Sequence, residues 1–293
     1  MTPQPCATFA YGSSSSQMVD LYRPASSDRA PVVVTIHGGA FRGGSRKEEL
    51  DAVPALLAEG FAVAAVDYRL SGEACFPAAV RDVKQAVVEI RRRADQLRLD
   101  PSFVAAWGRS AGGYLAAMLG VTGGRATEFG DDRSTIQAVV DWYGPADFGS
   151  MDDQFRAFPP EGEGPAVQLH DDPGSPESVW LGAALPSVAA LVAQANPVTH
   201  LVAAVKTPPF SIAAGTNDRL VPHRQSVQLA DALRAAGVET DLWLLPGAAH
   251  ADPLFEVQLT GLTVDWLRQQ RQQAAEGASP SHAGGHDPSL QRR

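Results

Sequence analysis

Only two cysteines, Cys6 and Cys75, occur in 293 residues. A disulfide-stapled secreted scaffold is therefore excluded, and two free thiols in a reducing cytosol are expected. Basic residues are in deficit: 24 Lys and Arg stand against 33 Asp and Glu, a formal net charge of −9. A surface of that sign repels phosphate, so neither nucleic acid nor an anionic membrane is an expected partner. Long apolar runs are missing as well. Phe61–Val66 and Leu115–Val121 are the longest, far short of the ~20 residues a membrane-spanning helix needs. The opening MTPQPCATFAYGSSSS has neither a basic nor an apolar segment of the secretory kind, which leaves the cytoplasm as the expected location.

What is present is an ordinary globular balance, 44% hydrophobic and 19% charged residues, in a chain long enough for one large core. Short runs rich in Val, Ile and Ala recur at Val32–Ile36, Phe61–Val66, Phe103–Trp107, Ala138–Trp142, Phe210–Ala213 and Thr240–Leu245. Nearly unbroken apolar character predicts strands buried on both faces, as in a parallel sheet. Helical spacing separates them. Val80, Val83, Val87 and Ile90 follow Pro77 at intervals of three or four, and Phe255, Leu259, Leu262 and Trp266 form a stripe on the last helix. The pattern predicts an α/β fold whose ligands bind beyond the carboxyl ends of the strands.

Three stretches depart from this alternation. Residues 1–17, rich in Ser, Pro and Gly, are expected to form an arm, with the catalytic domain spanning 18–271. From about Gly149 to Ala204 there is no clear strand, only short helical pieces near Ser175–Leu185 and Ser187–Gln194. So long an insertion is expected to be a small cap over the site. Residues 272–293 lack apolar periodicity and are expected to be a disordered tail. His282 and His286 lie four apart there, without the third ligand a metal would need.

Trp107-Gly108-Arg109-Ser110-Ala111-Gly112-Gly113 is a GxSxG motif between a predicted strand and a predicted helix. Such a turn lifts the Ser110 hydroxyl above the sheet, and its small flanking residues let strand and helix approach closely. His37-Gly38-Gly39-Ala40-Phe41 directly follows the strand Val32–Ile36. Its backbone N–H groups, from Gly39 and Ala40 with Gly38 as a further candidate, are expected to join that of Ala111 around a tetrahedral oxyanion. A serine nucleophile needs a base and an acid that orients it. Asp218 follows the strand Phe210–Ala213 and His250 follows Thr240–Leu245, on the same sheet edge as Ser110. Competing groups are worse placed: His223 and Asp231 fall on a helix, Asp241 opens a strand at the opposite edge, and His37 is expected to brace its loop. His170 and His200 fall in or beside the cap, where they are expected at the surface, with a substrate contact as the alternative. Phe41, Tyr114, Trp142, Tyr143 and Trp180 are candidates to line a substrate pocket.

HGGAF, Asp67-Tyr68-Arg69-Leu70, Phe76-Pro77-Ala78, GRSAGG, Tyr143-Gly144-Pro145 and GTNDRLVP, in this order, resemble the α/β-hydrolase esterases from about Met18 to Arg271. The hormone-sensitive-lipase-like group and the bacterial carboxylesterase and feruloyl/acetylxylan-esterase-like proteins are the nearest in look. This resemblance implies an α/β-hydrolase fold and hydrolysis of small carboxylic esters by a serine esterase, without metal or organic cofactor. There are two departures. Ala40 replaces the third glycine of HGGG, where its Cβ narrows the pocket, and Arg109 replaces an acidic residue frequent before the nucleophile. An arylformamidase-type amide hydrolase shares the HGG and GxSxG elements and stays open. A non-catalytic ligand-binding protein on this fold is the remaining alternative, although such a protein is expected to lose a triad member.

Overall fold

A strand without polar alternation can be stable only between two apolar layers. The computed structural model, which describes residues 3–25, 28–127, 129–130, 132–160, 164–202 and 206–278, places five of the six apolar runs in that setting, whereas the sixth, Thr240–Leu245, lies at the sheet edge with Trp243 and Leu244 exposed. The strands are β1 (Ala7–Ala10), β2 (Met18–Tyr22), β3 (Ala30–Ile36), β4 (Ala62–Val66), β5 (Leu99–Arg109), β6 (Ala138–Trp142), β7 (Phe210–Gly215) and β8 (Thr240–Leu245). They form one eight-stranded sheet in the order β1-β2-β4-β3-β5-β6-β7-β8. From β4 to β8 every pairing is parallel, and β1 and β2 complete the sheet in antiparallel fashion. Successive residues of each strand feed opposite layers. Val32, Val34 and Ile36 join a core with Val80, Val83, Leu115 and Leu119, whereas Val33 joins one with Leu56, Phe61, Phe255 and Leu267.

The helices are α1 (Val53–Ala58), α2 (Ala78–Arg92), α3 (Ala94–Leu97), α4 (Ala111–Thr122), α5 (Met151–Ala157), α6 (Pro176–Leu181), α7 (Ala189–Ala195), α8 (Arg224–Ala235) and α9 (Leu254–Ala278). Val80, Val83, Val87 and Ile90 of α2 are all buried, as their spacing predicts. Every residue of α4 is buried. This helix starts at the carboxyl end of the central strand β5 and lies beneath the insertion. The insertion between β6 and β7 holds α5, α6 and α7 and no strand among its described residues. None of the described helices is long and apolar enough to cross a membrane.

Three further features differ from expectation. The first is that residues 7–10 of the predicted arm are an edge strand, paired Ala7 to Leu21 and Ala10 to Met18. The Ser/Gly run between them is the hairpin connection, held by Ser14 and Ser16 hydroxyls donating to the Glu73 carboxylate. Its composition hid two short strands. The second is the far end, where residues 272–278 continue α9, and 279–293, with His282 and His286, lie outside the described residues. The third is the stripe of α9. The buried positions are Phe255, Leu259, Thr263, Val264, Trp266, Leu267 and Gln270, whose centre lies to one side of Leu262, which is 49% exposed.

That rotation is testable. Leu267→Ala should lower the unfolding free energy by ~2–5 kcal/mol, the range for a fully buried leucine, while Leu262→Ala should stay within ~0.5 kcal/mol of wild type. Urea denaturation of the two variants checks the assignment, and equal losses would refute it.

Candidate active site

Between β5 and α4 the chain reverses at one residue. Ser110 has φ 53° and ψ −122°, a conformation costly for any residue with a Cβ. The Ser110 N–H donates to the Trp142 carbonyl at 2.8 Å and the Tyr114 N–H closes the first helical turn on the Ser110 carbonyl at 3.1 Å. Two glycines make room for this turn. A Cβ on Gly108 would overlap the Gly112 backbone, and one on Gly112 would overlap the Ile36 carbonyl. The hydroxyl is thus presented at the carboxyl edge of the sheet.

His250 and Asp218 reach the same place from the loops after β8 and β7. Nε2 of His250 is 2.9 Å from Ser110 Oγ, and Nδ1 is 2.6 Å from Asp218 Oδ2. Because the carboxylate can only accept, Nδ1 carries the proton and Nε2 turns its lone pair to the serine hydroxyl. Asp218 is fixed in turn by the Leu220 and Val221 N–H groups, both 2.9 Å from Oδ1. The two loops are laced together, Asn217 N–H to the Ala248 carbonyl and Gly247 N–H to Thr216 Oγ1. Tyr143 packs the edge of its ring against the imidazole, 4.9 Å between centroids. Such a chain can draw a proton from Ser110 and hold the resulting imidazolium.

The loop after β3 turns through three successive left-handed residues, Gly39, Ala40 and Phe41, with φ of 109°, 53° and 59°. The Arg42 and Gly43 N–H groups close it on the Gly39 carbonyl at 2.9 and 3.0 Å. Ala40 and Ala111 face Ser110 across one small cavity of about 50 Å³. The Gly38 N–H does not point there. It donates to Glu49 Oε2 at 3.2 Å, which removes Gly38 from the candidate oxyanion donors. Glu49 sits behind the loop, and partial desolvation pushes its carboxyl above the usual range. His37 braces the turn, as expected. Its Nδ1–H donates to the Gly38 carbonyl at 2.7 Å, its ring stacks on Tyr68, and burial lowers its pKa so that it stays neutral.

The aromatic candidates are only partly in the site. Phe41 lines the cavity, while its ring stacks on Trp180 at 4.2 Å. Tyr114 is fully buried and donates to the Ala195 carbonyl, and Trp180, on α6 of the insertion, is fully buried as well. Trp142 packs against Trp107 and Phe255, and Tyr143 supports His250. The cavity is instead completed by Leu220 and Val221, directly beyond Asp218, and by Pro145, Gln168 and Glu177. His170 is not at the surface. It is completely buried and bonded to Glu177, whereas His200 is half-buried and donates to the Gln194 carbonyl. Among the described residues no group of three or more His, Cys, Asp or Glu side chains is placed to hold a metal ion.

The model of one protein family, BD-FAE, matches residues 19–233, which include the elbow, the Gly-rich loop and Asp218. The chain belongs to the BD-FAE family. Among curated proteins it is similar to the esterase LipC of Mycobacterium tuberculosis, 31% identical over 86% of this chain, and to the probable carboxylic ester hydrolase LipM of the same organism, 30% identical over 80%. It spans 61% and 52% of their lengths. A carbohydrate esterase from gut microbiota, solved in truncated form, superposes with a TM-score of 0.79 at 27% identity, covering 93% of this chain and 100% of that one. The fold is that of the α/β-hydrolases.

In this BD-FAE member two buried ionisable groups lie near the elbow. Arg109, beside the nucleophile and only 6% exposed, bonds Asp51 at 2.8 and 2.5 Å and Glu256 at 3.3 Å, over the Trp142 ring. Burial alone would lower its pKa, but the bonds to Asp51 outweigh that and raise it. One cation thereby joins the elbow to the segment before α1 and to α9. Behind the nucleophile helix, Asp141 is entirely buried, and desolvation pushes its carboxyl up to about 7. Oδ1 accepts the Gly144 N–H, while Oδ2 has no partner among the described residues.

This group makes stability fall as pH rises. An unfolded chain loses the Asp141 proton near 3.8, whereas the folded protein keeps it to about 7. Its contribution is therefore fully present below pH 3.8 and lost as pH climbs to about 7. Asp141→Asn keeps the shape without the charge. It should raise Tm at pH 8, by a free energy of a few kcal/mol, and leave Tm at pH 4 nearly unchanged. Thermal melts at both pH values measure this, and an equal shift at both would contradict a titrating Asp141.

Proposed function

We propose that this chain is a serine carboxylic ester hydrolase working through an acyl-enzyme. The observation that carries the reading is the unbroken chain Ser110 Oγ, His250 Nε2, His250 Nδ1 and Asp218 Oδ2, with contacts of 2.9 and 2.6 Å. It is supported by the relatives named esterases and by the superposition on a carbohydrate esterase. His250 takes the Ser110 proton as Oγ attacks the ester carbonyl. The Ala111 N–H at the start of α4, with those of Gly39 and Ala40, receives the negative oxygen. Collapse expels the alcohol, which leaves with the proton from His250. Water, activated by the same imidazole, then releases the acid.

Ser110→Ala should lower kcat by ~10⁴–10⁶ without loss of the fold. A fluorophosphonate probe should label the wild type and not the variant. Labelling of another serine would remove Ser110 from the mechanism.

The cavity of about 50 Å³, with Ala40 at its rim, suits short acyl groups. Each methylene buried adds at most ~0.8 kcal/mol, and only while space lasts. Along a series of nitrophenyl esters, kcat/KM should peak between acetyl and hexanoyl and then decline. A climb that continues through dodecanoyl would refute the short-acyl preference.

A further inference from the structure

The cavity at Ser110 has a mixed lining. Phe41, Leu220 and Val221 are its apolar members, whereas Gln168 and Glu177 bring polar side chains to it. Glu177 is unusual in such a place, being only 4% exposed. A carboxylate so far from water persists only with charged or hydrogen-bonding partners. One partner is clear: Oε2 lies 2.7 Å from His170 Nδ1. Burial draws the His170 pKa down, but the bond to Glu177 and the charges of Glu177 and Asp152 outweigh it and raise it. The bond and those charges favour the protonated imidazole beside the Glu177 carboxyl group. The bond uses only one oxygen, and Oε1 makes no hydrogen bond among the described residues.

The support beneath this pair is rigid. Asp152 accepts the backbone N–H of His170 at 2.7 Å and that of Asp171 at 3.1 Å. The Ser175 hydroxyl donates to the His170 carbonyl at 2.7 Å, and its oxygen accepts the Ser178 N–H at 3.1 Å. Arg42, just past the oxyanion loop, donates to the Gly174 carbonyl at 2.6 Å. The carboxylate is thus held by His170, whose backbone is fixed in turn by Asp152 and Ser175 within the insertion, a segment that Arg42 ties down from outside. A plain alkyl ester entering the cavity would strip water from Oε1 and offer nothing in return, which costs binding. A donor hydroxyl would satisfy it, and a site built for a hydroxyl discriminates strongly against a substrate that lacks one.

We propose that Glu177, with Gln168 beside it, is a specificity site that selects esters bearing a free hydroxyl close to the scissile bond, bound through a charge-assisted hydrogen bond to Oε1. The inference rests on the ester-hydrolase reading above. The hydroxyl can reach these side chains from either half of the ester, so two matched pairs of substrates are needed. In the first, 2,3-dihydroxypropyl acetate is set against propyl acetate, with the hydroxyl on the alcohol. In the second, ethyl 3-hydroxybutyrate is set against ethyl butyrate, with the hydroxyl on the acyl group.

In at least one pair the wild-type protein should favour the hydroxylated ester by ~10–100-fold in kcat/KM, with most of the difference in KM. Glu177→Leu should collapse that ratio towards one, and Gln168→Leu should reduce it. The ratio is read within each variant, so a general loss of activity does not mimic the effect. The wild-type comparison stands even where a variant fails to fold. Turnover of nitrophenyl acetate without a preference in either pair overturns the specificity site and leaves the esterase reading intact. A preference that survives Glu177→Leu also overturns it. Failure to turn over any ester, nitrophenyl acetate included, overturns both.

Discussion

The left-handed backbone at Ser110 is the constraint to which the rest of the molecule answers. One residue must end the central strand, begin a fully buried helix and still present its side chain to solvent. That geometry requires the bare backbones of Gly108 and Gly112, because the helix start lies against β3 as well as β5. It also requires the hydrogen bond from Ser110 to Trp142 on β6. Neighbouring strands therefore have to be in register before the nucleophile is in place. The strain is local, but the contacts that hold it extend over the middle of the sheet.

Around this point the chain tolerates buried charge that a structure selected for stability alone would omit. Arg109 is nearly sealed from water and depends on Asp51 and Glu256 for compensation. Asp141 has no charged partner and stays neutral by keeping its proton to about pH 7. Glu49 takes up the Gly38 N–H that would otherwise be stranded behind the oxyanion loop. Each of these groups lies within a few residues of the catalytic segments in sequence or packs against them. Their arrangement orders three loops that would otherwise be free to settle separately.

Much of this was legible in the sequence because parallel strands and catalytic turns leave strong local marks. The apolar runs and the insertion were visible, since unbroken Val and Ala segments need cover on both faces, although the last run, Thr240–Leu245, folds as a half-exposed edge strand. Ser110, Asp218 and His250 could be picked out because each immediately follows such a run. Features set by tertiary packing were not. The strand at residues 7–10 is only four residues long, and its partner β2 is joined to it by Ser and Gly. Leu262 has the spacing of a core residue, but the rotation of α9 against the sheet exposes it. Tyr114, Trp142 and Trp180 are aromatic and near the motifs, yet composition cannot tell a core ring from a pocket ring. His170 and Glu177 lie seven residues apart in a stretch rich in Asp, Pro and Gly. Only the folded insertion reveals that they are paired and buried.

The insertion and the loop after β3 are also joined. Phe41 stacks on Trp180, and Arg42 bonds the Gly174 carbonyl, so both residues following Ala40 are anchored in the insertion. The insertion is thus not a modular lid that evolution or an engineer can exchange freely on a constant catalytic base. A replacement lacking an equivalent of Trp180 would release Phe41, and with it the left-handed run that orients Ala40. The shape of the cavity beside Ser110 and the geometry of the loop after β3 are consequently set by the same contacts. A change in one cannot be made without a matching change in the other.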